Sequence, residues 1–371
     1  MTQTPFSTDN RLHDLLPYES YDDDTGLFMN KGSVGFVLKG SPLAGANLAD
    51  QDRLADFLRE EVYLPEGSSM QMLLWASPHI GPSLHWWQSY RKPGIYNDLA
   101  TKRTAFLTSK AFEADTIRDF EVILSFTWPK SVCANVHELL ETRVSLKEAL
   151  AAIGFFGFDV DGKAFIQMMH NLMVPSHNVF PSTVSYNDLE SLSAQMTQWS
   201  EGWNISATGV HQDAWTWRGY TPKRWPRLWS LSNMDRFLGE MLGSPQTMPT
   251  PFWVHYGFFV VQGQKSEKTM AITRRESLEN AMKNRLTKWM PELRDHYDEA
   301  LESVGELQRG ERMVVAQLSV GIFSKHGEEP RQEQNFKSLW TKLGWEFRQA
   351  RFDHLPLFLS CMPMTWTWED V

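Results

Sequence analysis

The sequence predicts an α+β protein, two lobes of mixed or antiparallel sheet flanked by helices. Three observations carry this. Near the start, two short apolar segments, Leu27 to Met29 and Val34 to Leu38, are joined by Asn30-Lys31-Gly32-Ser33. Asn and Gly accept the positive φ that tight hairpin turns require, so this reads as a hairpin. Through the first 153 residues, compact apolar runs bounded by proline alternate with stretches of helical spacing. A strand-helix-strand-helix-strand order then returns after residue 251. A duplicated α/β unit would account for that return, although identity between the halves is too weak to establish it.

A chain of 371 residues is long enough for two domains with a substantial core. Its 42% hydrophobic and 22% charged residues are globular composition, not disorder. The net charge of −9 argues against a surface built to coat nucleic acid. Cys133 and Cys361 lie far apart, form no metal-type pair and fit burial in a reducing compartment. The first residues lack a basic start followed by an apolar block, and the longest apolar patch, Ala149 to Phe158, is too short to span a bilayer. These features predict a soluble, cytoplasmic protein whose membrane association is peripheral or through a partner.

In order, the first lobe (residues 1–153) opens with Pro17 and the acidic turn Asp22 to Gly26, then the hairpin. Asn47 to Tyr63 has helical spacing and ends at Pro65 and Gly67. Met70 to Trp75 reads as a buried strand, His85 to Lys92 as a basic, aromatic stretch, and Asn97 to Lys110 as a helix. Phe120 to Trp128 is a strand stopped by Pro129. Val136 to Ile153 is a helix with its apolar side at Leu139, Leu140, Val144 and Leu150. This order predicts helices on one face of the sheet.

The middle region (154–251) carries helical spacing over Lys163 to Met173 and Asn187 to Trp199, then a dense run of tryptophan and arginine from Trp215 to Trp229. Pro245, Pro249 and Pro251 mark a linker or exposed loop. In the second lobe (252–371), Phe252 to Gln262 is a strand interrupted by Gly257. Thr273 to Leu307 is a long charged helix, with Pro291 the point where it would break. Arg312 to Ser324 is a strand, Arg331 to Leu343 a helix and Phe347 to His354 a strand.

Motifs with chemical content are few. Gly157-Phe-Asp-Val-Asp-Gly-Lys163 has the glycine and lysine spacing of a phosphate-binding loop but lacks the final Ser or Thr. Asp159 and Asp161 within it would repel phosphate, so a turn feeding a helix is the favoured reading. The Asp22 to Asp24 run is too close to a strand for a calcium loop. His170 and His177 flank Pro175 and share no helical face, and no His-Glu-x-x-His or Gly-x-Ser-x-Gly pattern occurs. No nucleophile stands beside a base in the sequence, and no catalytic, cofactor or metal residue is assigned.

The sixteen tryptophans are the strongest oddity. Trp215, Trp217, Trp225 and Trp229 are interleaved with Arg218, Lys223, Arg224 and Arg227. Such a segment could stack nucleobases, sit at a membrane interface or serve a protein partner. Rings in the core with arginine stems packed on them weigh about equally against these three together. Among the three, the acidic whole favours a protein or membrane surface, so these eight residues form the candidate partner-binding surface. A stand-alone binding protein using this surface for a protein, membrane or nucleic-acid ligand is the alternative function.

The stretch from Leu15 to Gly45, with its Leu-Pro-Tyr start, acidic turn and hairpin ending Gly35-Phe-Val-Leu38, resembles the amino-terminal end of the TraC family, large ATPases of F-type conjugative type IV secretion systems. Phe358-Leu-Ser-Cys-Met-Pro-Met364 is similar to that family's approach to its motor domain. The resemblance implies a non-catalytic docking and assembly domain preceding a RecA-like motor. ATP and magnesium would be held by that missing motor, with no cofactor in this chain. The implied partners are inner-membrane components of the conjugation machinery, further copies of the protein in a hexamer, and the coupling protein, with no direct nucleic acid. The implied location is cytoplasmic, peripheral to the inner membrane, in support of pilus assembly and DNA transfer.

Overall fold

The computed structural model describes residues 12–43, 49–50, 52–54, 56, 64–112, 117–131, 133, 136–174, 184–197, 203–212, 214–226, 248, 250–283 and 291–366. The helix expected over Asn47 to Tyr63 and the proline-rich linker before Thr250 lie largely outside them. The fold is α+β, a large antiparallel sheet flanked by helices.

The predicted hairpin is present. Strands β1 (Tyr18–Asp22), β2 (Leu27–Asn30) and β3 (Ser33–Gly40) form a meander, with Gly32 at φ +77° in the turn. Next come β4 (Ser69–Ser77), helices α1 (Gly81–Ser89) and α2 (Ile95–Phe112), β5 (Asp119–Pro129), α3 (Val136–Ala152) and the short β6 (Phe158–Asp159). Helices α4 (Gly162–Met173) and α5 (Leu192–Met196) follow. A second meander, β7 (Asn204–Ser206), β8 (Gly209–Gln212) and β9 (Trp215–Arg224), leads to β10 (Phe252–Val260). Helices α6 (Gln264–Met282) and α7 (Pro291–Arg309), β11 (Val314–Lys325), α8 (Glu329–Lys342), β12 (Glu346–Gln349) and α9 (His354–Ser360) complete the chain.

The strands run β1-β2-β3-β5-β4-β10-β11-β9-β8-β7, with β6 on β3 and β12 on β9. This order contains a repeat. In each half a meander precedes a strand, two helices, an antiparallel return strand, a covering helix and a short strand that pairs back on the meander's third strand. The halves join through β4 and β10, antiparallel, with Trp75 opposite Trp253. The duplication that identity between the halves could not establish is thus visible in the topology. The helix pairs α1–α2 and α6–α7 consequently leave opposite ends of the joined strands.

Strand side chains alternate between two faces. On one, Leu124, Phe126 and Val320 pack under α3 and α8. On the other, Leu73, Trp75, Trp253 and Phe323 meet α4, α5 and α9. Helices therefore cover both faces, not one. The buried side of α3 is Leu139, Thr142, Leu146 and Leu150, at three- and four-residue spacing, while Val144 faces solvent. The expected long helix is two, with Pro291 opening α7, where a missing N–H costs nothing. β10 runs unbroken through Gly257, paired on both sides, and the glycine leaves room for the Trp366 ring, 3.1 Å from where a Cβ would sit.

Candidate interaction surface

The tryptophan and arginine segment forms β9, which sorts its residues by face. Trp215 and Trp217, expected on a partner-binding surface, are instead buried among Trp253, Phe323 and Phe358. A strand covered on both sides buries its aromatic positions whichever way they point. Gly321 makes room for this cluster, since a Cβ there would collide with Nε1 of both Trp253 and Trp217. Arg218 points to the other face, where its Nη1 donates to Glu333 Oε2 at 3.4 Å. Lys223 is exposed and pairs with Glu346 at 2.8 Å. Arg224 is exposed, and Trp225 is 51% exposed with its ring against Trp345 at 5.0 Å. The exposed part of the candidate is thus Lys223, Arg224 and Trp225; Arg227 and Trp229 lie outside the described residues.

The loop with phosphate-site spacing folds as a strand and a capped helix. Asp161 caps α4, its Oδ1 accepting from the Ala164 N–H at 2.7 Å, so the chain's own carboxylate occupies the helix N-terminus. Asp159 pairs with Lys147 at 2.6 Å. In the acidic turn, Asp22 accepts from the Asp24 N–H and the Thr25 hydroxyl, so that carboxylate closes its own loop. Burial pushes the Cys361 thiol up to about 12. His170 is buried in α4, and His177 lies outside the described residues. Among the described residues, no three His, Cys, Asp or Glu groups are placed to hold a metal ion.

Two arrangements were not legible in the sequence. Ser206 Oγ lies 2.7 Å from His211 Nε2, so a hydroxyl does stand beside an imidazole. The other ring nitrogen meets Thr216 Oγ1 at 3.0 Å instead of a carboxylate, and Thr216 continues to His326 and Glu329. This network ties the β7–β8 turn to the start of α8. Burial, then the neighbouring His326, lowers the His211 pKa. At Glu329, burial acts upward, but its own backbone N–H, that of Gly327 and the Thr216 hydroxyl outweigh it, and the carboxyl titrates below its usual range.

The second arrangement is a buried strap. Residues 360–366 cross the centre of the sheet and are held by side chains from three strands. Tyr18 donates to the Pro363 carbonyl, Gln71 Nε2 to the Ser360 and Met362 carbonyls, and Ser69 to the Trp366 carbonyl. Ser125 Oγ accepts from the Met364 N–H at 3.0 Å. Met364 takes φ +60°, an uncommon value for a residue with a side chain, and its thioether is buried against Gly35. His255 faces Gln71 at 3.1 Å and the Trp366 ring, and burial lowers its pKa to about 3.

Fold and surface together define a duplicated α+β sheet protein with helical hairpins at opposite ends and a strap across its centre. The family model described as TraC protein matches residues 12–366, and the chain belongs to that family. It is 25% identical over 383 residues to Protein TraC of Escherichia coli strain K12, an alignment that takes in 94% of this chain and 42% of the relative. The chain therefore spans less than half the length of that curated relative. Membership in the family points to a component of conjugative type IV secretion.

Proposed function

We propose that this chain is a docking and assembly region of a conjugative type IV secretion ATPase, without catalysis of its own, that supports pilus assembly and DNA transfer. The observation that carries the reading is the match itself. It runs along nearly the whole chain yet takes in only 42% of Protein TraC, which leaves most of that relative's length for other work. ATP and magnesium belong, in this reading, to a motor outside these 371 residues. The partners are inner-membrane components of the machinery and further copies of the protein, met on its cytoplasmic side. The exposed Lys223-Arg224-Trp225 end of β9 is one contact candidate, because aromatic and arginine side chains together make strong contacts where water is excluded.

The test is ATP turnover by this chain beside the full-length protein, with co-purification from cells carrying the secretion machinery. The expected result is turnover only by the full-length protein, and capture of inner-membrane secretion proteins by the short chain. Hydrolysis by the short chain, or its failure to capture any such protein, overturns the reading.

A further inference from the structure

The duplication provides an internal control for reading the surface. The segments 81–112 and 264–309 hold equivalent helix pairs, α1–α2 and α6–α7, so differences between them are not demanded by the fold. Segment 264–309 carries nine cations and nine carboxylates, and Arg309–Glu306 and Arg275–Glu276 pair within its helices. Segment 81–112 carries five cations, Arg91, Lys92, Lys102, Arg103 and Lys110, against the single carboxylate of Asp98. Among the described residues none of those five cations meets a carboxylate; Arg91 and Arg103 lie over the Trp87 ring at 4.4 and 5.8 Å, and Lys110 lies over Phe106. On a chain of net charge −9, this is a local reversal of sign.

The apolar side chains differ in the same way. Around the α1–α2 turn, Trp86 is 65% exposed, Tyr90 71%, Ile95 71% and Tyr96 78%. In α6 and α7 the large exposed apolar groups among the described residues are Met270 and Leu301. The α1–α2 pair is tied by the Gln88–Thr101 hydrogen bond and by Arg103 over the Trp87 ring, leaving the other aromatics outward. We propose that the α1–α2 hairpin is a lipid anchor that seats its aromatic tip in the headgroup layer of an anionic bilayer.

Trp and Tyr favour the water–lipid interface because one end of each ring system is apolar and the other hydrogen-bonds. Unpaired lysine and arginine beside them draw the tip to anionic headgroups while the acidic remainder of the chain is kept away, which sets an orientation. A second copy of the chain is the weaker occupant, because its equivalent hairpin is charge-balanced, its carboxylates matched by as many cations. No helix of the structure is long and apolar enough to cross a membrane, so among the described residues the contact is with the surface. The inference does not rest on a secretion role, since pure lipid vesicles contain no secretion protein.

The experiment is co-flotation of the whole chain with vesicles of phosphatidylcholine alone or mixed with phosphatidylglycerol. Binding is expected only to the mixed vesicles, weakening as salt rises. A variant with Trp86→Ser and Tyr96→Ser, and another with Lys92→Glu and Arg103→Glu, are each expected to bind roughly tenfold or more weakly. Lys92→Glu alone, at an exposed side chain with no ion pair among the described residues, guards against loss of fold, and circular dichroism checks all three. No binding by the parent chain, or equal binding by the variants, overturns the proposal. So does self-association that the variants abolish while vesicles go unbound.

Discussion

Trp75 and Trp253 face each other across the strand pair that joins the two halves of the sheet, their ring centroids 6.1 Å apart and tilted by 59°. Both are fully buried, and both touch Phe323. The seam of a duplicated fold is therefore an aromatic contact, contributed equally by each half. Changing either residue to Ala is expected to cost about 3–5 kcal/mol, from lost burial and the cavity left behind. The double variant should cost less than the sum, since the rings share a partner. Urea unfolding of the three variants measures this, and strict additivity would mean the rings act independently.

Gly321 should tolerate no side chain. Gly321→Ala places a methyl against the indole nitrogens of Trp253 and Trp217, and the expected loss is about 1–3 kcal/mol. Gly263→Ala makes the contrast, because a Cβ there meets nothing within 4 Å and only the φ of +76° is strained. Thermal unfolding with unchanged stability for Gly321→Ala would contradict the packing described.

His255 makes stability depend on pH. It is buried with a folded-state pKa of about 3, below that of an unfolded histidine near ~6.5. Between these values the unfolded chain binds a proton that the folded chain refuses, so stability falls as pH drops through that window. The slope from this group is about 1.4 kcal/mol per pH unit. Denaturant titrations of the parent and His255→Gln should differ in slope over that range and run parallel above it.

Gln71 is the main clasp of the strap, with bonds to the carbonyls of Ser360 and Met362. Gln71→Ala takes away the donor to the Ser360 carbonyl and the acceptor of the Trp366 N–H and is expected to cost about 1–3 kcal/mol. Cys361 supplies the readout, being buried and held protonated. In the parent chain it should alkylate far more slowly than the less buried Cys133. In Gln71→Ala its labelling should accelerate before global unfolding. Unchanged labelling would show that the strap is held without this clasp.

Elements set by their own chain neighbours are legible in the sequence. The Asn-Lys-Gly turn, the proline-bounded runs at Met70 and Phe120 and the helix over Lys163 to Met173 all stand in the structure. Burial on two faces removes the usual patterns elsewhere. β9 mixes Trp, Arg, Gly and Pro because its neighbours cover both sides, so its tryptophans looked like a surface feature. Gly257 looked like an interruption because the ring it admits, Trp366, lies 109 positions further along the chain. In the Ser206–His211–Thr216–Glu329 network the first three members meet across the β7–β9 meander, and Glu329 joins them only when α8 docks beside β9. His85 to Lys92 reads in the sequence as a basic, aromatic stretch, but that the cations of α1–α2 lie over rings and meet no carboxylate among the described residues is a property of the fold.

The strap also determines how the domain would respond to force. A pull on the chain at Trp366 is met first by Ser69 and Gln71, both on β4, then by Ser125 on β5 and Tyr18 on β1. These anchors lie in sequence along seven residues, so they yield one after another, like a zip opened from its end. The load arrives at the seam between the halves before it reaches either outer meander. A tug at that end would therefore be felt at the Trp75–Trp253 contact before it reached β2 or β8.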